Sequence, residues 1–298
     1  MSFTSKKYFL LMILSAFSGC FFQNKPVQSV EFVSKEGAVN PLIFKLLDLT
    51  NVLYVDGTLS SVVDETQKHW LRKPNFERWD IENSFGDHQE EIYQISEQLN
   101  LFSAVKPQYK QYEYVFILGS LFASMKNRMT FLVDLWNQGI RFNNIVFLAG
   151  SRPRNAAQGE NQTALEEWSN IKIEYMPETE TELLKFVYDH ALMPEEMRKI
   201  PVDIIDVPML QNSDGAMRRP TTADTIKWWL KTDPRPGKIL AISSQPYVWY
   251  QNSVLKTLLP SSYEVDTVGQ ACSSDQKIGL LLDTLARILY QEKIRLQQ

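Results

Sequence analysis

The fold of this chain is decided by the stretch Tyr114-Val115-Phe116-Ile117-Leu118-Gly119-Ser120, an apolar run that ends in a small-residue turn. Apolar runs of similar length recur further along the chain, and each ends at small residues, a proline or a glycine. Runs without polar alternation are typical of strands that are buried on both faces of a sheet. The predicted strands are 114–118, 145–149, 202–207, 239–242 and 263–268.

Helical patterns separate these predicted strands. The first has apolar residues at i, i+3, i+4 and i+7 from Met129 to Trp136, and Gly139 is a typical helix end. Strands that alternate with helices build parallel sheets. We therefore predict an α/β fold, a three-layer Rossmann-like sandwich with a mainly parallel sheet of about five strands, which binds ligands beyond the carboxyl ends of its strands. Later helices are predicted at 161–168, 180–190, 222–230 and 247–259, and from a capping box of Ser273 and Gln276.

Residues 1–20 have the pattern of an export signal. Lys6 and Lys7 precede an apolar run over 8–17, and Ser18-Gly19-Cys20 follows it. A positive segment, a short apolar run and small residues define a secretory signal peptide, and the run is shorter than the about 20 residues that span a bilayer. Small residues before a cysteine resemble a bacterial lipobox, so we expect export, lipidation of Cys20 and a cell-envelope location. An uncleaved anchor and a plain secretory signal are the alternatives.

The rest of the chain divides into three predicted parts. Residues 21–40 are polar and irregular, which is typical of a linker between a membrane and a domain. Residues 41–111 form a helical N-terminal region, because their leucines and isoleucines keep helical spacing. Residues 112–298 form the α/β domain.

Composition excludes several classes of function. The 298 residues carry 31 lysines and arginines against 35 acids, and a net charge of −4 provides no global positive field for nucleic acid. Two cysteines exclude a disulfide framework and a cysteine-based zinc site, and three distant histidines offer no metal-ligand spacing. The chain has neither a GxGxxG nor a Walker A sequence. We therefore expect no metal, no cofactor and no nucleic-acid partner.

The turns after the first two predicted strands carry groups that suit an anion. A glycine lets a ligand approach the backbone, and a helix that follows a strand presents its N-terminus to an anion. Two arginines beside the second turn suit a phosphate or a carboxylate, unless both are solvated loop residues. The ligand-binding candidates here are Gly119, Ser120, Arg128, Gly150, Ser151, Arg152 and Arg154.

Further candidates begin the helices that follow. Thr179 and Glu182 can cap the first of these helices, and Glu180 between them either joins the first turn or faces inward as a carboxylate. Paired arginines before a second capping box favour an anion site at that helix N-terminus. The candidates are Arg218, Arg219, Thr221 and Thr222 as ligand-binding residues, with Glu180 and Asp224 as catalytic residues.

The turn after the fourth predicted strand combines hydroxyl, amide and aromatic groups. Such groups at a strand end suit a planar or sugar-like ligand, although the same rings also suit inward packing. The candidates here are Ser243, Ser244, Gln245 and Tyr247.

The order of these turns, from 112 to about 269, resembles the YdcF/SanA-like family of bacterial envelope-associated proteins. Residues 114–120 and 145–151 resemble its first two strands with their turns, and Arg128 and Glu180 match an arginine and a glutamate on its helices. The resemblance implies a Rossmann-like fold, a site at the strand ends and a role in envelope or cell-wall biogenesis. It implies no defined reaction.

Two segments depart from that family pattern. Residues 221–225 keep only the threonine and the acid of an Asn-Thr-x-Glu-Asn segment. Tyr247 and Tyr250 stand where the family has a histidine and an arginine, so chemistry that depends on those two residues is absent here.

Three functions remain open on the sequence. The first is an enzyme that binds a phosphate-bearing or nucleotide-like molecule, with the four turn arginines around the anion and Glu180 or Asp224 as base. The second is a non-enzymatic envelope module whose site binds a partner or is degenerate. The third is an S-adenosylmethionine binder, although Arg152 follows the second strand where an acid usually holds the ribose.

Overall fold

The five apolar runs form the strands of one sheet in the computed structural model, which describes residues 30–73, 76–81 and 86–298. The predicted signal, with Cys20, and the first part of the predicted linker lie outside the described residues. No described helix combines the length and the apolar content needed to cross a membrane. The elements are α1 (Pro41–Leu49), α2 (Leu59–His69), α3 (Gln89–Gln98), β1 (Gln111–Leu118), α4 (Phe122–Asn137), β2 (Arg141–Gly150), α5 (Gln162–Ser169), α6 (Glu180–His190), α7 (Glu195–Arg198), β3 (Val202–Val207), β4 (Leu210–Gln211), β5 (Met217–Arg218), α8 (Thr222–Leu230), β6 (Lys238–Ile242), α9 (Val248–Leu258), β7 (Glu264–Val268) and α10 (Ile278–Leu296).

The main sheet has the strand order β3-β2-β1-β6-β7, and all neighbouring strands are parallel. The chain runs outward from β1 through β2 to β3, and then returns to the other side of β1 with β6 and β7. The predicted α/β sandwich is therefore confirmed. Its strand order reverses beside β1, and in such sheets the crevice at the carboxyl ends of the strands opens at this point.

Alternate residues of the strands pack against two different helical layers, because side chains alternate between the faces of a strand. Val115 and Ile117 face α4 and α6, where Leu132 belongs to the same buried cluster. Phe116 faces α8 and α9, and its ring meets Trp229 edge-on with 4.8 Å between the centroids. These two clusters fix the sheet between its helices and hold the strand ends in place.

The N-terminal region forms a further layer outside α9. Helices α1, α2 and α3 share a buried cluster with α9 and α10 that includes Leu46, Ile92 and Leu285. Gln67 Nε2 also donates to the carbonyl oxygen of Ala286 at 2.8 Å. The N-terminal region therefore packs against α10 rather than on the sheet itself, and the segment after α2 reaches the carboxyl ends of the strands.

Two features differ from the sequence predictions. Ser273 does not cap the last helix, which begins at Ile278 after Lys277 as its N-cap. The Ser273 hydroxyl instead accepts a hydrogen bond from the Asp275 N–H within the preceding turn. Strand β3 is an edge strand with Asp203 and Ile204 exposed, although we predicted burial on both faces, and Asp203 and Asp206 interrupt its apolar residues.

Candidate functional site

A cavity of about 290 Å³ opens at the carboxyl ends of β1, β2 and β6, where the strand order reverses. We call it the strand-end cavity. The N-terminal region, the turns after the three strands, and helices α4, α8, α9 and α10 contribute to its walls. Its lining contains six arginines, which are Arg72, Arg78, Arg128, Arg152, Arg219 and Arg287. The acids in the lining are Glu77, Glu180 and Asp283.

Arg128 joins the ends of β1 and β6 from below the cavity. Its side chain is buried, and its terminal nitrogens donate to the carbonyl oxygens of Leu118 and Gly119 and to the Ser244 hydroxyl, at 2.6, 3.0 and 3.2 Å. Its Nε has no hydrogen-bond acceptor within the described part of the chain. Burial lowers the pKa of Arg128 to about 10, and nearby Arg78 also lowers it. The group therefore stays charged at neutral pH.

Arg152 is held by a carboxylate that has no solvent exposure. Its two terminal nitrogens donate to Glu160 at 2.9 and 2.8 Å. Glu160 also accepts the backbone N–H of Phe122 at 3.1 Å, so the buried charge is well hydrogen-bonded. The remaining Arg152 nitrogen, Nε, lies 3.6 Å from Glu180 Oε2. Arg152 therefore donates hydrogen bonds to Glu160, whereas its contact with Glu180 is only a 3.6 Å ion pair.

Glu180 is the first residue of α6 and faces inward. The predicted capping box of Thr179 and Glu182 is confirmed, and Glu180 lies beside it with its side chain buried. A Cβ atom on Gly119 would lie only 2.5 Å from Glu180 Oε1, so the missing side chain of this glycine leaves room for the carboxylate. Burial raises the pKa of Glu180 to about 7, although Arg152 and Arg219 lower it.

Three guanidinium groups surround the ring of Tyr247. Arg78 stacks over this ring with 4.1 Å between its Cζ and the centroid. Burial raises the pKa of Tyr247, whereas the charges of Arg78, Arg72 and Arg128 lower it. Arg72 Nη1 is buried without a hydrogen bond to any described residue, and it lies 3.7 Å from Glu77 Oε2. The ring therefore sits at the centre of the positive charge.

Asp283 fixes the far wall of the cavity from within the apolar helix α10. It accepts the Arg72 backbone N–H at 2.9 Å and two hydrogen bonds from Arg287 at 2.9 and 3.0 Å. The Asp283 charge is therefore already used to hold the segment after α2 and to neutralise Arg287. It leaves the charges of Arg78 and Arg128 uncompensated.

Two helices begin at the cavity without a side-chain cap. The N-cap of α4 is Leu121 and that of α9 is Tyr247, and neither side chain accepts a hydrogen bond from its helix. Both residues line the cavity. The start of α9 presents N–H groups and the positive end of the helix dipole, and both favour an anion, whereas the first N–H of α4, that of Phe122, is already bound by the Glu160 carboxylate.

The structure brings ten of the predicted site residues together around this cavity. They come from the turns after β1, β2 and β6 and from the starts of α6 and α8. They are Gly119, Ser120, Arg128, Gly150, Arg152, Glu180, Arg219, Thr221, Thr222 and Tyr247.

Each predicted arginine pair contributes only one member to the cavity. Arg152 lines it, whereas Arg154 pairs with exposed Glu178 at 3.3 Å. Arg219 lines it, whereas Arg218 makes two hydrogen bonds to Asp224, at 2.7 and 3.1 Å. Because one member of each pair is bound to an acid outside the cavity, the four arginines do not form one cluster.

Asp224 is placed as a structural residue and not in the cavity, which corrects its predicted role as a base. With Thr221 it forms the capping box of α8. Burial by itself raises the pKa of Asp224, but hydrogen bonds from Arg218 and Thr221 outweigh this effect and bring the pKa down to about 2. A carboxylate of this kind is a poor proton acceptor near neutral pH.

The other predicted polar residues also lie outside the lining. The Ser151 hydroxyl donates to Asp206 at 3.1 Å, and the Gln245 amide donates to two backbone carbonyls of the 100–103 segment. Ser244 supports Arg128, and Ser243 is buried beneath the turn. Gly150 serves the protein itself, because a Cβ there would lie 2.2 Å from the Pro220 side chain.

Sequence reasoning missed the arginines that come from outside the α/β strand turns. Arg72 and Arg78 belong to the N-terminal region, where no strand pattern marks a ligand site. Asp283 and Arg287 stand four residues apart in the mainly apolar first half of helix α10. This charged pair among apolar residues was the sequence signal that could have indicated the site, because charged side chains are rarely buried unless they are paired.

Comparison of the chain with protein-family models, with curated proteins and with solved structures finds no match in any of the three. The geometry of the site therefore has to be interpreted from its own residues. Within the described ranges, no group of three or more histidine, cysteine, aspartate and glutamate side chains is arranged to hold a metal ion.

Proposed function

We propose that this protein binds a phosphate-bearing small molecule in the strand-end cavity. One observation carries the proposal: the guanidinium groups around Tyr247 have N–H donors without acceptors in the described part of the chain. Arg72 Nη1 and Arg128 Nε are buried without a hydrogen bond to any described residue, although Arg72 Nη1 lies 3.7 Å from Glu77 Oε2, and Arg78 stacks on the ring without an ion pair to a described residue. A buried donor left unpaired costs about 1–3 kcal/mol. The oxygens of an anion would supply the missing acceptors.

Phosphate is the anion that best suits this arrangement. Arginine binds phosphate oxygens through charge-assisted hydrogen bonds, and several arginines can share one tetrahedral group. Arg78 lowers the pKa of Arg128, so the two positive charges repel each other across the cavity, and a bound dianion would relieve this repulsion. The uncapped start of α9 adds to the attraction.

The size and the other lining groups suggest what accompanies the phosphate. A volume of about 290 Å³ is at the small end for ligand cavities, so a sugar phosphate or a mononucleotide fits better than a dinucleotide. Trp79, Tyr247 and Tyr250 provide aromatic surface for a sugar or base. The proposed ligand class is therefore a phosphate-bearing or nucleotide-like metabolite.

A thermal-shift screen of the full chain tests this function. The panel contains inorganic phosphate, glucose 1-phosphate, uridine monophosphate, farnesyl phosphate and S-adenosylmethionine. A ligand at 100 times its Kd adds about 2.7 kcal/mol to the free energy of unfolding, which the assay detects. We expect stabilisation by at least one phosphomonoester. Silence across the panel with folded protein would contradict the proposal.

The matched variants are Arg78→Ala and Arg154→Ala. Loss of one guanidinium contact to phosphate costs about 1.5–3 kcal/mol, so we expect Arg78→Ala to weaken binding by 10-fold or more. Arg154 also carries a charge near the turn after β2, but it pairs with Glu178 outside the cavity. Equal loss in both variants would show that the ligand binds by general charge and not in the strand-end cavity.

We propose, from the sequence resemblance, that the protein is a divergent YdcF/SanA-like member with a role in envelope or cell-wall biogenesis. The signal pattern over 1–20 supports export and membrane attachment through lipidation of Cys20. Expression of the full chain in a bacterium with a labelled fatty acid tests this. We expect label on the full chain and none on Cys20→Ser. Label on both would exclude Cys20 as the lipidated residue.

A non-enzymatic, partner-binding role is the second candidate. It is favoured by Tyr247 and Tyr250, which replace the histidine and arginine that the family resemblance leads us to expect. Turnover of the bound phosphomonoester by purified protein would exclude this role, and binding without turnover would favour it. S-adenosylmethionine is the least favoured ligand, because its sulfonium would enter a cavity lined by six arginines.

A further inference from the structure

We propose that the strand-end cavity binds its anion together with one proton, and that Glu180 carries this proton. The inference rests on the proposed function, since it concerns the same ligand in the same cavity. It narrows the ligand class to anions without an acidic hydrogen of their own, such as the dianion of a phosphomonoester.

The geometry around Glu180 stabilises the ionised carboxylate poorly. Its side chain is buried in the space that Gly119 leaves open. The distance of 3.6 Å between Glu180 Oε2 and Arg152 Nε is longer than a hydrogen bond, while the two terminal nitrogens of Arg152 donate to Glu160. A buried carboxylate without close donors is held more easily in its neutral form.

The charged groups that face Glu180 come from four elements. Arg152 follows β2, Glu160 precedes α5, Arg128 lies on α4 and Arg219 precedes α8. Three of these groups are positive, but each has other partners: Arg152 has Glu160, Arg128 has two backbone carbonyls, and Arg219 has Glu77 at 3.0 Å. Burial outweighs their attraction and brings the pKa of Glu180 to about 7.

A bound dianion changes this balance further. It would bring negative charge next to Glu180, and a like charge favours the neutral carboxyl. A neutral carboxyl group also has an O–H that can donate to a ligand oxygen, whereas a carboxylate can only accept. The anion and the proton therefore favour each other, and each is bound more tightly when the other is present.

The expected pH dependence follows from this linkage. Below the pKa of about 7, Glu180 is already protonated in the ligand-free protein, so the affinity for an anion of constant charge changes little with pH. Above it, binding requires proton uptake, and the affinity falls by up to about 10-fold per pH unit. The decline continues until the pH reaches the higher pKa of Glu180 in the complex.

Titration calorimetry of the full chain with sulfate and with glucose 1-phosphate tests the inference. Sulfate keeps a constant charge across the tested range, so its own ionisation does not contribute. At pH 8, measurements in two buffers with different ionisation enthalpies give the number of protons taken up. We expect close to one proton for the wild type, and an affinity that begins to fall near pH 7.

The informative variants are Glu180→Gln and Glu178→Gln, the same substitution two residues apart. Glutamine keeps an N–H donor and cannot ionise, so we expect Glu180→Gln to bind without proton uptake and with equal affinity at pH 6.5 and pH 8.5. Glu178 is exposed and pairs with Arg154, so Glu178→Gln should behave as the wild type.

Two results would overturn the inference. One is anion binding by the wild type without proton uptake at pH 8, which decides the question even where Glu180→Gln fails to fold. The other is unchanged uptake in a folded Glu180→Gln variant. If the wild type binds none of the anions, it is the proposed function that fails, so the two failures are distinguishable.

Discussion

The two ends of the parallel sheet carry pockets that differ in their charged residues and in their volume. The carboxyl end holds the strand-end cavity, with six arginines in about 290 Å³. The amino end holds a wider pocket of about 570 Å³ whose charged residues are Glu113, Asp203 and Arg235. Glu113 accepts hydrogen bonds from Asn143 and Asn144, so its charge is already satisfied. The two ends are therefore distinguished mainly by their arginine content rather than by the volume of their pockets.

This difference follows from the architecture. In parallel strand–helix units, the carboxyl end of a strand leads into the N-terminus of a helix, whose dipole is positive. Here α9 begins at the strand-end cavity without a side-chain cap, whereas Glu160 binds the first N–H of α4. Arginines near these starts add to a positive field that the chain as a whole, at a net charge of −4, does not have. The positive field is therefore local.

We expect the largest difference in stability between the two ends when a glutamate is replaced by glutamine at each end, as Glu160→Gln and as Glu113→Gln. Glu160 has no solvent exposure and neutralises Arg152 through two hydrogen bonds. Breaking a buried charge pair costs about 3–5 kcal/mol, so Glu160→Gln should lower the free energy of unfolding by this amount. Glu113 is partly exposed and accepts from neutral amides, so its change should cost less than about 1 kcal/mol.

Urea denaturation of both variants measures this difference. Arg152 also lies near Glu180, and loss of the Glu160 charge would strengthen that contact at the expense of proton binding. Equal changes in the free energy of unfolding for the two substitutions would mean that the ion pair of Glu160 stabilises the fold no more than the hydrogen bonds of Glu113 do.

The sequence was sufficient for the sheet because its signal is local. Runs such as 114–118 must be buried on both faces, and the alternation with helices leaves a parallel arrangement as the expected result. The same signal was misleading at β3, where Asp203 and Asp206 interrupt the apolar residues and are exposed on an edge strand.

The site could be predicted only where it is built from strand turns. Gly119, Arg152 and Glu180 follow or precede predicted elements directly, and they meet in the cavity. Arg72 and Arg287 reach it through the packing of the N-terminal region on α10, and no local pattern encodes that packing. The predicted role of the glycines also changed, because their missing side chains make room for Glu180 and Pro220 rather than for a ligand.

We expect a second, smaller difference in stability between the two ends for Gly150→Ala and Gly237→Ala. A Cβ on Gly150 would lie 2.2 Å from the Pro220 side chain and 2.8 Å from the Val207 carbonyl oxygen, and neither can move without shifting backbone. A Cβ on Gly237 would lie 2.7 Å from the Cβ of Glu113, which is also fixed to its backbone, but this contact is less close than the one at Gly150. Overpacking costs about 1–3 kcal/mol, so we expect Gly150→Ala near the upper value and Gly237→Ala near the lower.

Thermal unfolding of these two alanine variants provides the measurement. Gly150→Ala should also weaken phosphate binding, since Pro220 and Thr221 line the cavity and would be displaced together. Retention of full stability by Gly150→Ala would show that the turn before α8 is looser than its contacts indicate.

Of the three differences in stability, we expect the one between the wild type and Asp224→Asn to be the smallest. This variant tests whether a residue that supports the carboxyl end of the sheet can be changed without affecting the cavity. Asp224 caps α8 and binds Arg218 outside the cavity, so the variant should lose about 1 kcal/mol of stability near neutral pH and keep its affinity for phosphate. The pKa of Asp224 is lowered to about 2 in the folded protein, against an ordinary value of 3.8. Its contribution is therefore fully present above about pH 4 and lost as the pH falls towards 2.

The stability gap between the wild type and Asp224→Asn should accordingly close in urea titrations taken from pH 5 down to pH 2.5. Glu180 is the contrasting carboxyl at this end of the sheet, because its pKa is raised and its proton is exchanged near pH 7. A gap that stays constant over the acid range would mean that Asp224 acts through its hydrogen-bonding shape alone. A loss of phosphate affinity in Asp224→Asn would instead place the Arg218–Asp224 pair within the binding site, and would remove the distinction between the two members of each arginine pair.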